Sequence, residues 1–153
     1  VEGERKASVD TVALCYIYKN MPNVNSVIHT HQPYATGLGL VFDRIDCDLT
    51  TLANTTKGHV NVAPYSSAAS LEMGVAVVDY IGDSLAVVLK NHGVVTVGKN
   101  LTEALYAAVY LEESAKTLYV AHSLGRPVSK LTENQIQVAV DVFKTYGQVP
   151  GEH

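Results

Sequence analysis

The sequence contains no tryptophan, only two cysteines and no long apolar run. Cys15 and Cys47 are too few for a disulfide framework, so we expect a reducing compartment, namely the cytoplasm. A membrane-spanning helix needs about 20 consecutive, mainly apolar residues, and no run approaches that length. We therefore expect no membrane partner.

Strong charge of either sign is also absent. Eleven Lys and Arg residues against 15 Asp and Glu residues give a formal net charge of −4. Nucleic acids and anionic surfaces attract basic proteins, so we expect neither as a partner. A chain of 153 residues that is 47% hydrophobic and 17% charged has the size and composition of one globular domain. We expect residues 1–153 to form that single domain.

Helical and strand-like patterns alternate along the chain. This alternation favours an α/β or α+β domain, with helices flanking a mixed or antiparallel β-sheet. Ser8 is the predicted N-cap of the first helix, and 50–58 is predicted as a polar loop. The predicted helices cover 8–20, 66–80, 101–122 and 132–146; the predicted strands cover 25–31, 37–42 and 59–65, and a hairpin over 84–99 turns at residues 91–93.

Two histidines stand one residue apart at the end of an apolar strand. Side chains at positions i and i+2 of a strand lie on the same face, so His29 and His31 should point the same way. Neutral imidazole is a preferred ligand of zinc and related metals, but two ligands are too few for tight binding. A His-x-His pair can also be a half-exposed polar pair without a metal.

A third histidine and an acid are the candidates to complete such a site. His92 ends an apolar strand and precedes Gly93, whose missing side chain lets another backbone approach closely. A sheet that brings 84–91 beside 25–31 would place His92 near the pair. Asp10 is the candidate carboxylate, although an acid at the start of a helix also has a simple electrostatic explanation.

These motifs together resemble the class II aldolase/adducin family. The stretch "KASVD" (6–10) leads through a helix to "VIHTH" (27–31), with the acid nineteen residues before the first histidine. The later "LKNHGVVTVGKN" (89–100) resembles the family's strand that ends in His-Gly, and the helix that follows it is also similar. The tail "FKTYG" (143–147) resembles the C-terminus of the fuculose-phosphate aldolases in the family.

The resemblance implies a single mixed, largely antiparallel β-sheet flanked by helices on both faces. It implies a divalent metal, usually Zn²⁺ with Mn²⁺ or Co²⁺ as alternatives, held by three histidines, with an acid as a further ligand or base. It also implies a homotetramer with sites between subunits, where a tail tyrosine closes a neighbour's site. The implied residues are His29, His31 and His92 for the metal, Asp10 for the acid, Tyr146 for the tyrosine and Ser8 for the substrate phosphate.

The implied activity is metal-dependent cleavage of a ketose 1-phosphate, such as L-fuculose 1-phosphate, to dihydroxyacetone phosphate and a short aldehyde through a metal-stabilised enediolate. L-Ribulose-5-phosphate 4-epimerase and related dehydratases or decarboxylases are the alternatives, and a non-catalytic adducin-like assembly module is an alternative of another class. Asn54 stands where the epimerase has an acid, and an amide cannot take up the proton, so it counts against epimerisation.

The chain departs from the family at its beginning. Ser8 matches the first of two phosphate-binding serines, but Val9 replaces the second. The other phosphate-binding loops belong to roughly the first third of a family member, to which nothing here corresponds. We expect the natural protein to carry further N-terminal sequence.

Overall fold

The computed structural model describes Glu4 and residues 6–142, which form one five-stranded sheet and six helices. None of the helices in this part of the chain is long and apolar enough to cross a membrane. The helices are α1 (Thr11–Asn20), α2 (Pro33–Val41), α3 (Thr50–Thr56), α4 (Leu71–Ile81), α5 (Leu101–Ser123) and α6 (Glu133–Val142); the strands are β1 (Ser26–Thr30), β2 (Arg44–Ile45), β3 (Val60–Ala63), β4 (Ala86–Leu89) and β5 (Gly93–Gly98).

The sheet has the order β1-β5-β4-β3-β2. Strands β3 and β4 are parallel, as a crossover through α4 allows, and the other three pairings are antiparallel. The predicted mixed, largely antiparallel sheet is confirmed. The predicted hairpin joins β4 to β5, and its turn is closed by the His92 N–H, which donates to the Leu89 carbonyl at 3.0 Å.

Helices cover both faces of the sheet, as predicted. Side chains of the central strands pack alternately into two separate hydrophobic cores, one on each face of the sheet, because successive residues of a strand point to opposite faces. Val88 and Val94 face the core formed with α2, α3, α5 and α6, whereas Val87 and Val95 face the core formed with α1 and α4. The central strands are therefore buried on both sides and form a rigid support for the segments at their ends.

The predicted strand over 37–42 is wrong, because this segment belongs to helix α2. The apolar residues of this segment are compatible with a strand or a helix. Pro33, however, lies in the first turn of a helix, where the fixed φ of proline is favourable. Gly39 lets the helix lie directly on the sheet, since a β-carbon there would be 2.6 Å from Cγ1 of Val88. Packing on the sheet decides the conformation.

The predicted polar loop over 50–58 is also wrong. Residues 50–56 form α3, which buries Leu52, Ala53 and Thr56 against α5 and α6. Threonine has low helix propensity, but the burial of one face compensates for it. The helix ends at Lys57, which adopts a left-handed conformation with φ of 64°.

Several helix boundaries differ from the predictions. The first helix begins at Thr11 with Asp10 at the N-cap, so Ser8 lies outside it. The fourth helix begins at Leu71 with Ser70 as its N-cap, later than the predicted start at residue 66. Helix α5 is capped by the Asn100 side chain, which accepts the Glu103 N–H at 2.9 Å.

Close packing of α1 on α4 depends on Gly74. A β-carbon at this position would lie 2.8 Å from the Ala13 carbonyl oxygen, which is backbone and cannot move aside alone. We predict that Gly74→Ala lowers the free energy of unfolding by about 1–3 kcal/mol, the usual cost of overpacking. Urea unfolding followed by circular dichroism measures this.

Gly37→Ala is the matched control, because a β-carbon at Gly37 in α2 would meet no atom within 4 Å. Replacing this helical glycine with alanine should stabilise the protein by about 0.5–1 kcal/mol. Equal effects of the two substitutions would contradict the close helix contact.

Candidate metal centre

The three predicted histidines come together at one end of the sheet. His29 is in β1, His31 follows that strand, and His92 occupies the hairpin turn before β5. Their ring centroids are 5.0 Å (His29 to His31), 4.8 Å (His29 to His92) and 5.2 Å (His31 to His92) apart. One potential ligand atom from each residue lies within 4.8 Å of the other two.

The register of β1 against β5 produces this convergence. His29 pairs with Val95 and Thr30 with Val94, so the end of β1 lies beside the start of β5. His92 immediately precedes β5 and is therefore delivered to the same place. Two segments that are more than sixty residues apart in sequence thus contribute to one cluster.

A backbone hydrogen bond orients the ring of His29. Its Nδ1 lies 2.9 Å from the carbonyl oxygen of Val94. Because a carbonyl only accepts, Nδ1 must carry the proton, and the lone pair is then on Nε2. A histidine ligand of a metal is typically held in this way by its other ring nitrogen.

The ring of His92 is held in its neutral form. Burial lowers its pKa below the ordinary 6.5, and the nearby imidazoles of His29 and His31 lower it further, while the charge of Asp10 partly opposes them. Its Nδ1 is buried and has no hydrogen-bond partner within the described residues. A neutral imidazole with a buried, unpartnered nitrogen has the properties of a metal ligand.

The chemistry of the cluster fits a divalent cation of the zinc type. Three imidazole nitrogen donors on a partly buried surface leave a further coordination position free, as in catalytic rather than structural zinc sites. His31 is exposed and His29 and His92 are half-buried, so the cluster is open to solvent. No other cluster of three or more metal-binding side chains occurs in the described part of the chain.

The remaining predicted residues are placed differently. Asp10 is outside the close cluster, although its charge acts on the pKa of His92. Ser8 is exposed, and its Oγ accepts the Asp10 N–H at 3.3 Å, so both belong to the turn before α1. Tyr146 lies outside the described residues. The carbonyl of Val94, which orients His29, was not predicted, because a main-chain acceptor leaves no signal in the sequence.

Protonation of His92 should destabilise the metal-free protein. Its pKa is lower in the folded state than in the unfolded state, so the folded protein loses stability as pH falls from about 6.5 through the lowered pKa. We predict a smaller loss for His92→Gln than for the wild type between pH 7.5 and 5.5. Urea unfolding in the presence of EDTA measures it, and equal losses would contradict the assignment.

Comparison with known proteins identifies the family. Residues 1–119 match the family model described as the Class II Aldolase and Adducin N-terminal domain. The chain is similar to the L-fuculose phosphate aldolase of Haemophilus influenzae, with 30% identity over 131 residues, covering 86% of this chain and 61% of that protein. It is also similar to the 5-deoxy-D-ribulose 1-phosphate aldolase of Bacillus thuringiensis, with 28% identity over 148 residues, covering 97% and 68%.

A comparison with a solved structure shows that the fold is also similar to that of an aldolase. A structure of L-fuculose 1-phosphate aldolase superposes with a TM-score of 0.87 at 28% identity, covering 94% of this chain and 67% of that one. The chain spans 61%, 58% and 59% of the length of three curated relatives that it matches. Because the family model matches residues 1–119, most of the chain, the chain belongs to the class II aldolase and adducin family.

Proposed function

We propose that this chain carries the metal centre of a class II aldolase, a carbon–carbon lyase that cleaves a ketose 1-phosphate. The reaction would give dihydroxyacetone phosphate and a short aldehyde. The observation that carries the proposal is the convergence of three imidazole donors, all within 4.8 Å, in a chain of this family. Relatives named as L-fuculose phosphate aldolase support the substrate class.

In the proposed site His29, His31 and His92 hold the cation, His29 through its free Nε2. Zinc is the proposed metal, with manganese and cobalt as alternatives. When bound, the cation supplies Lewis-acid stabilisation of the negative charge that develops on the substrate oxygens.

The proposed roles of Asp10, Ser8 and Tyr146 come from the family resemblance. The Asp10 carboxylate, whose charge acts on His92, would accept a proton from the substrate or provide a further ligand. Ser8 would bind the substrate phosphate through its hydroxyl, which is exposed two residues before Asp10. Binding the phosphate supplies energy away from the reacting carbons. Tyr146 would close the site of a neighbouring subunit in a homotetramer.

The surface of α5 supports an assembly of subunits. Between positions 105 and 110, four large apolar side chains of this helix are 41% to 55% exposed, and a subunit interface would cover such residues. They are Leu105, Tyr106, Val109 and Tyr110. We propose the homotetramer on this basis and on the family resemblance. We propose a cytoplasmic location because two cysteines are too few for a disulfide framework.

Two alternatives differ from the aldolase in specific residues. Epimerisation would need an acid where the chain has Asn54, and that residue is in α3, a helix that packs on α5 and α6. An adducin-like assembly module would not need the three histidines to converge. A second aldolase substrate is favoured by one relative, which is named a 5-deoxy-D-ribulose 1-phosphate aldolase.

Metal binding should depend on the cluster. We predict that wild-type protein binds one equivalent of Zn²⁺ or Co²⁺ and that His92→Ala weakens binding by at least about 100-fold, beyond the usual cost of losing an indirect contact. Isothermal titration or equilibrium dialysis with elemental analysis measures this. His122→Ala is the control, because His122 is at the exposed end of α5. Equal binding by wild type and His92→Ala would contradict the proposed site.

The activity should be a metal-dependent retro-aldol cleavage. We predict that the protein at its natural length releases dihydroxyacetone phosphate from L-fuculose 1-phosphate or 5-deoxy-D-ribulose 1-phosphate, and that EDTA abolishes the release. A coupled assay that reduces dihydroxyacetone phosphate with NADH follows the product. Conversion of L-ribulose 5-phosphate to its 4-epimer, without cleavage of either 1-phosphate, would contradict the aldolase and favour the epimerase.

A further inference from the structure

The first turn of α2 lacks a cap from its own sequence. The initial N–H groups of a helix have no carbonyl partners within it. Gln32 is at the N-cap, but its side chain makes no capping bond, and its Nε2 donates to the Ala108 carbonyl of α5 at 2.8 Å instead. Pro33 has no N–H. The first N–H groups that need acceptors are those of Tyr34 and Ala35.

Glu112 of α5 supplies both acceptors. Its Oε1 accepts the Tyr34 N–H at 3.0 Å, and its Oε2 accepts the Ala35 N–H at 3.0 Å. The carboxylate therefore binds the end of the helix through both oxygens. Its negative charge also complements the positive pole of the helix dipole, which strengthens charge-assisted bonds of this kind.

These contacts fix the chain on one side of His31. Strand β1 fixes the other side, because it ends at Thr30 in the ladder with β5. Ala108 and Glu112 are one helical turn apart on α5 and bind Gln32 and the start of α2. His31 is therefore the single residue between two anchored segments.

His31 depends on this anchoring more than His29 does. The His29 ring is held by the Val94 carbonyl, whereas no hydrogen bond holds the His31 ring within the described residues. The side chain of His31 is also exposed, and its ring contacts are with the other two imidazoles. The backbone on both sides of His31 sets the direction of its Cα–Cβ bond, from which the imidazole reaches the cluster.

We propose that Glu112 is a positioning residue that directs the imidazole of His31 into the histidine cluster by clamping the first turn of α2. This inference rests on the proposed metal centre. Glu112 itself need not touch the metal or the substrate. Loss of the clamp would let the 32–35 segment move and would increase the entropic cost of bringing His31 to the metal.

The test compares Glu112→Gln with Glu113→Gln in cobalt binding. A glutamine at 112 loses the charge and offers one acceptor, so its NH₂ group would face one of the two N–H donors. Glu113 is the neighbouring residue on the same helix and is exposed, which makes it a matched control. Co²⁺ affinity is measured by visible absorption in competition with a chelator.

We expect Glu112→Gln to weaken Co²⁺ binding by about 10–100-fold, the usual cost of losing a residue that orients a ligand, while Glu113→Gln changes it by less than about twofold. In a His31→Ala background, Glu112→Gln should cost less than about twofold more, because the ligand it positions is already gone. In a His29→Ala background its full cost should remain. Full additivity with His31→Ala would overturn the proposal.

Hydrogen exchange gives a readout without metal. In Glu112→Gln, the amides of Tyr34 and Ala35 should exchange faster, while those in β1 keep their protection. If Glu112→Gln does not fold, Glu112→Asp replaces it in the same test. Its shorter carboxylate should weaken Co²⁺ binding by a smaller factor. Wild-type Co²⁺ affinity in Glu112→Asp would overturn the proposal. Failure of wild-type protein to bind Co²⁺ overturns the metal centre itself, whereas cobalt binding that Glu112→Gln fully retains overturns only the role of Glu112.

Discussion

The close approach of two backbones at Gly93 is the constraint on which the histidine cluster depends. A β-carbon at this position would lie 2.5 Å from the Thr30 carbonyl oxygen and 2.8 Å from Cδ2 of His31. No other residue fits there without moving β1 or the imidazole. Because Gly93 begins β5 immediately after His92, the residue that permits the approach also places the third imidazole at the point of contact.

The rest of the fold keeps this contact in place. Strand β5 is central and buried on both faces, with α5 on one side and the core of α1 and α4 on the other. Strand β1 is fixed by its pairing with β5, and α2 continues from β1 toward the clamp on α5. The polar groups of the site are therefore carried by short segments at the ends of rigid elements, which is how binding residues are commonly held.

The sequence predicts the cluster better than the surroundings that orient it. The His-x-His alternation and the His-Gly after an apolar strand are local patterns, and the three histidines that they predict as one site lie close together in the structure. These are His29, His31 and His92. The conformations predicted for segments 37–42 and 50–58 were wrong because packing on the sheet and on α5 overrides the local preferences of these residues. The Val94 carbonyl and the Glu112 carboxylate act across more than sixty residues of sequence, so no local pattern could reveal them.

X-ray absorption at the zinc edge, on protein loaded with one equivalent of zinc, is the decisive measurement for the three-histidine metal site. We expect nitrogen and oxygen ligands around the zinc, with three imidazoles at about 2.0–2.1 Å identified by scattering from their outer ring atoms. The same spectrum for His92→Ala should contain two imidazoles. Sulfur ligands, or fewer than three imidazoles, in the wild-type protein would show that His29, His31 and His92 do not hold the metal together.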